Sequence, residues 1–72
     1  MKKIKKIKIR VNGIAKSISD NYSVSDLVKN LKIPLKKVAI ELNQEIIDKK
    51  NISKMNLKKN DKIEIVHFIG GG

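Results

Sequence analysis

Asn12-Gly13 constrains the fold of this chain more than any other pair of residues. The dipeptide favours the two-residue turn of a β-hairpin, because both central positions of that turn take positive φ. Upstream, residues 2–11 are ambiguous by period. Ile4, Ile7 and Val11 fit a helix, whereas Ile7, Ile9 and Val11 alternate as a strand. The apolar side chains are all β-branched, which favours the strand, and a hairpin turn directly after them decides the matter. Residues 14–19 then return as the second strand. A basic amphipathic helix lying on a membrane is the reading this displaces.

After a loop at residues 20–22, Ser23-Val24-Ser25-Asp26 reads as a helix start. Ser23 is the expected N-cap, and Asp26 sits three positions on, where its charge suits the helix dipole. Val24, Leu27, Val28 and Leu31 follow at i, i+3, i+4 and i+7 as a single apolar stripe. That stripe should pack on Ile7, Ile9, Ile40, Ile63 and Ile65. Pro34 disfavours helical geometry at Ile33, so the helix is expected to stop near Leu31 or Lys32. Val38, Ile40 and Leu42 share one face of a third strand, Asn43-Gln44-Glu45 turns the chain, and Ile46-Ile47 makes a short edge strand. Residues 48–60 are polar apart from Ile52, Met55 and Leu57, and should form an irregular crossover pinned by those three. Lys59-Asn60-Asp61 makes the last turn before a final strand, Lys62 to Ile69. The order β-β-α-β-β-β describes an α+β fold, a mixed sheet with one helix packed across it.

Seventy-two residues make one domain, and with no cysteine the chain must fold on aliphatic packing alone. The formal net charge of +10 suits an anionic partner, whether nucleic acid, membrane or acidic protein. Against nucleic acid stands the dominance of lysine over arginine, with Arg10 alone, since arginine is the better bidentate reader of bases. Tyr22 and Phe68 are the only aromatics, too few for a stacking platform. Lysines and Arg10 interrupt any signal-peptide core near the start, and no apolar run approaches transmembrane length. A cytoplasmic protein without a membrane partner is expected.

Catalytic equipment is lacking. His67 is the sole histidine and lies in a strand, no close carboxylate pair suggests acid–base work, and neither a phosphate loop nor metal-ligand spacing is present. Without cysteine the chain cannot carry sulfur as a side-chain persulfide. The distinctive group is instead the carboxylate of Gly72, at the end of Gly70-Gly71-Gly72. Three extended residues span roughly 10 Å, enough to reach into another protein's active site through a channel too narrow for side chains. A flexible tail is expected at 70–72. Alternation in the last strand puts Ile63 and Ile65 toward the helix, leaving Glu64, Val66 and Phe68 on the opposite face. Val66 and Phe68 would then grip a partner, with His67 flanking them, unless Phe68 folds back over a neighbouring strand. The lysine-rich surface would add steering toward acidic partners.

The element order with its Gly-Gly terminus resembles the ubiquitin-like β-grasp fold. Within it, the chain is similar to the thiamine-biosynthesis sulfur carriers of the ThiS family. The resemblance rests on Val11-Asn12-Gly13, on residues 38–47 (VAIELNQEII), and above all on residues 60–72 (NDKIEIVHFIGGG). Asn60 stands where the family often has glycine; asparagine also tolerates the left-handed region, so the turn should survive. The chain is also more basic than is usual for the family. The resemblance implies a single sulfur-carrier domain over residues 1–72, a protein carrier and not an enzyme. A ThiF-like adenylating enzyme would use ATP to activate Gly72, with no cofactor bound by the carrier itself. A cysteine desulfurase would be the indirect sulfur source, and the resulting thiocarboxylate would serve thiazole synthase. Rival readings are a carrier of the same fold for molybdopterin synthesis or tRNA thiolation, a tagging modifier found on target lysines, and a small basic nucleic-acid-binding module.

Overall fold

The computed structural model describes residues 5–68. The first hairpin forms as its turn dictates. Strand β1 (Lys6–Val11) pairs antiparallel with β2 (Ile14–Ser19), and Val11 lies opposite Ile14. Asn12 and Gly13 take φ of 50° and 83°, both positive, as the primed turn requires. A second hairpin repeats the device with weaker residues. Asn43 and Gln44, at φ 52° and 72°, join β3 (Val38–Leu42) to the short edge strand β4 (Glu45–Ile46). The last strand, β5 (Lys62–His67), stops short of the expected Ile69, which lies outside the described residues. It enters the middle of the sheet, parallel to β1 and antiparallel to β3, giving the order β2-β1-β5-β3-β4. Asn60 takes φ 72° before it, so asparagine does supply the left-handed turn residue.

Helix α1 (Val24–Asn30) begins at the expected N-cap, Ser23, and the cap proves reciprocal. Asp26 N–H donates to the Ser23 hydroxyl at 3.0 Å, while Ser23 N–H donates to the Asp26 carboxylate at 2.9 Å. Hydrogen bonding from the Ser23 backbone N–H, and then from the Ser23 side chain, holds the Asp26 carboxyl below the ordinary value of a free aspartate. The other end corrects the expected stripe. Ile33 N–H donates to Val28 C=O and Lys32 N–H to Lys29 C=O, with Lys32 at φ 56°. This is a Schellman ending built on lysine in place of glycine. It swings Ile33 back against the core and leaves Leu31, the C-cap residue, 37% exposed.

Two short 3₁₀ turns, Leu35–Lys37 and Ile52–Lys54, complete the described elements; neither was expected. The second lies within the crossover, where Ile52 and Leu57 are buried and Met55 packs partly against the core, as anticipated. The crossover is also held through its backbone. Val24 N–H donates to Met55 C=O and Leu57 N–H to Tyr22 C=O, each at 2.8 Å. The core is a single aliphatic cluster between α1 and one face of the sheet, with Leu27, Val38, Ile40 and Ile63 essentially closed to solvent. The other face has no layer over it among the described residues.

Candidate docking site at the end of the last strand

Strand β5 carries the site because its two faces have different fates. Ile63 and Ile65 are buried under α1, whereas Glu64, Val66 and Phe68 are exposed. Val66 lies opposite Ala39, and both Val66 and Phe68 keep half their surface in water. Ile46 of β4 pairs with Glu41, which itself pairs with Glu64, so Ile46 shares this open face and is 77% exposed. The result is an apolar strip of Ala39, Val66, Ile46 and Phe68, interrupted by Glu41 and Glu64. His67 does not join it. It is exposed but lies opposite Val38, whose side chain is in the core, so alternation places it on the helix side of the sheet.

Phe68 is fixed at its backbone and at its ring. Its N–H donates to Lys37 C=O at 2.9 Å, continuing the β3–β5 pairing one step past the strand. The Lys49 ammonium lies 5.5 Å from the ring centroid, within cation–π range. That ammonium also donates to Leu35 C=O at 3.0 Å and Val38 C=O at 2.8 Å, bridging the two ends of the first 3₁₀ turn. Phe68 is therefore neither free in solvent nor folded under a strand; it stands half-exposed beside a tethered cation. Sequence reasoning missed Lys49, because nothing separates it from the other lysines until the fold brings residues 35–38, 49 and 68 together. Gly70, Gly71 and Gly72, the expected tail and sulfur-bearing end, lie outside the described residues.

Asparagine side chains secure β5 from both flanks. The Asn12 amide accepts from Ile65 N–H at 2.7 Å and donates to Ile65 C=O at 3.3 Å, extending the β1 ladder where the backbone has already turned away. On the opposite flank, the Asn43 side chain accepts from Lys62 N–H at 3.0 Å and donates to the Asp61 carboxylate at 3.0 Å. Among the described residues no three His, Asp or Glu side chains gather into a metal site, and no helix is long and apolar enough to cross a membrane.

Residues 9–72 match the family model described as the ThiS family. The chain is 42% identical over 53 residues to the sulfur carrier protein ThiS of Bacillus subtilis, covering 74% of this chain and 80% of that one. It is 38% identical over 66 residues to a thiazole synthase of Paramagnetospirillum magneticum, covering 92% of this chain but 20% of that protein. A thiazole synthase of Magnetococcus marinus matches over the same share, at 33% identity. The chain thus spans about a fifth of the length of these two relatives. Among solved structures, the crystal structure of the thiamine biosynthesis protein ThiS from Geobacter metallireducens superposes with a TM-score of 0.80 at 28% identity. That superposition covers 92% of this chain and all of that one.

Proposed function

The chain belongs to the ThiS family, with its ubiquitin-like β-grasp fold, and from that premise we propose that it is a sulfur carrier of thiamine biosynthesis. Its Gly72 carboxylate is the group that carries sulfur. A carboxylate anion resists nucleophiles, so a partner enzyme first joins it to the α-phosphorus of ATP, releasing pyrophosphate and giving an acyl-adenylate. The terminal sulfur of a persulfide, supplied from a cysteine desulfurase, then attacks the acyl carbon and expels AMP. A second thiol cleaves the remaining S–S bond, leaving a thiocarboxylate that thiazole synthase consumes. The chemistry belongs to the partners; this chain contributes the carboxylate, the Gly70-Gly71 approach and a docking surface at Val66 and Phe68.

The family match carries this reading, because it covers residues 9–72, the three glycines included. The similarity to thiazole synthases supports that enzyme as the acceptor, since proteins of that name contain a stretch like this chain. No comparable observation favours molybdopterin synthesis or tRNA thiolation. The test is intact-mass analysis after incubation with ATP, a persulfide source and the adenylating enzyme. A gain equal to the difference between sulfur and oxygen, located on Gly72 by fragmentation, is the expected result. An unchanged mass with active enzyme, or attachment through an isopeptide to lysine, would overturn the proposal.

A further inference from the structure

The open face of the sheet is divided by charge. On β1 the outward positions are Lys6, Lys8 and Arg10, all exposed, and Lys62 of β5 lies directly opposite Arg10. The β2 residues paired with them are Ser19, Ser17 and Ala15, so this half of the face carries no carboxylate on either strand. Like charges on neighbouring positions of one face are destabilising. Arg10 donates to Gly13 C=O at 3.2 Å and lines a depression with Lys62 and Glu64. Lys6 and Lys8 have no carboxylate opposite them, and folding alone gives no reason to extend the row of cations along β1. The other half, toward β3 and β4, holds the apolar strip with Glu41, and Glu64 of β5 lies between the two.

We propose that Lys6, Lys8, Arg10 and Lys62 form a second docking element, which receives a carboxylate-rich surface of the enzyme that adenylates Gly72. The proposal rests on the carrier reading above and specifies the partner's chemistry. Lys8, Arg10 and Lys62 border a shallow depression of about 290 Å³ together with Ala15 and Asn60, room for an acidic side chain to enter between the cations. The size of the face makes joint coverage natural. Strands lie about 4.8 Å apart and rise about 3.3 Å per residue, so Lys62 is roughly 13 Å along β5 from Val66 and the whole face roughly 20 Å across. A specific interface covers about 800 Å² per partner, so an enzyme that grips Val66 and Phe68 reaches the basic row as well. Nucleic acid fits the face less well. Glu41 and Glu64 would repel its phosphates, its polar backbone would leave the apolar strip uncovered, and the outward positions of β1 and β2 offer no aromatic for base stacking.

The two halves then do different work. The basic row governs how fast the partner arrives, and the apolar strip how long it stays. The experiment is stopped-flow association with the adenylating enzyme of the same organism, from low to high salt, using Lys6→Gln/Lys8→Gln/Lys62→Gln and a charge-retaining Lys6→Arg/Lys8→Arg/Lys62→Arg control. Circular dichroism verifies folding of both. The neutralised variant should associate about tenfold more slowly at low salt and show a flatter salt dependence, with dissociation little changed; the arginine variant should behave as wild type. Equal association rates and salt slopes for all three proteins would overturn the proposal. So would tight binding of a fluorescent DNA or RNA 20-mer at physiological salt that the neutral variant loses while enzyme association is unaffected. Charge-dependent association without mass gain on Gly72 would sink the sulfur reading alone, whereas mass gain with charge-independent association would sink this one alone.

Discussion

Asn12 does two jobs that its sequence neighbours cannot separate. As a turn former it was legible, because Asn-Gly between β-branched runs specifies the hairpin. Its amide also completes hydrogen bonding to Ile65, 53 positions away, and no local pattern announces so distant a partner. Asn12→Gly isolates the second job, since glycine accepts φ of 50° at least as readily. The variant leaves the partly buried Ile65 N–H without its acceptor, so urea unfolding should show a loss of about 1–3 kcal/mol. Stability equal to wild type would mean that water replaces the amide without penalty. Asp26 supports a prediction in pH. Its folded-state carboxyl is held low by Ser23, so its contribution is present above the unfolded value and lost as pH falls through the folded one. Wild type should therefore lose stability as pH falls below the ordinary aspartate value of about 4, and Asp26→Asn should flatten that part of the curve.

Among the elements, helix α1 shows which signals a sequence carries and which it hides. Its start was readable because the cap is local: Ser23 and Asp26 are three residues apart and bond to each other. Its stop was readable only to within a residue, and the consequence for packing was not. Helical spacing assigns Leu31 to the apolar stripe, but Lys32 takes the left-handed position more often held by glycine and hands the packing role to Ile33. Nothing in Lys32 itself predicts that choice; Pro34 and the need to bury Ile33 impose it. The same helix supplies a paired test. Leu27→Ala opens a cavity at a position fully closed to water and should lower stability by about 2–5 kcal/mol. Leu31→Ala, at a position with over a third of its surface in water, should cost about 1 kcal/mol. If chemical denaturation gives the two similar losses, the placement of Leu31 at the margin of the core is wrong. The 3₁₀ turn at Leu35–Lys37 escaped sequence reading for a related reason. The Lys49 ammonium bridges its two ends from 11 and 14 residues away.

At the scale of the whole molecule, α1 covers one face of the sheet, no described residue forms a layer over the other, and β5 in the centre ends at that second face's apolar strip. Alternation made Val66 and Phe68 legible as outward residues, whereas the Lys49 tether beside Phe68 depends on three segments meeting. Half the phenylalanine surface is in water, so Phe68→Ala removes modest burial and should lower stability by about 1 kcal/mol. Buried aromatic anchors typically contribute about 2 kcal/mol or more to an interface, so the same change should weaken binding to the adenylating enzyme roughly tenfold or more. Deleting Gly72 should do the reverse, abolishing thiocarboxylate while sparing most of the docking. Lys49→Met separates the ring from its tether. It keeps a long apolar side chain but withdraws the donor from Leu35 and Val38 and the cation from the ring. If Phe68 docks because it is held in place, Lys49→Met should weaken enzyme binding while Phe68→Ala adds little on top of it, since both act through one contact. Independent, additive losses in that double-mutant cycle would show that Lys49 acts on the fold and not through the ring. Phe68→Ala binding as tightly as wild type, or failing to fold, would make Phe68 a structural residue and move the docking surface elsewhere on the sheet.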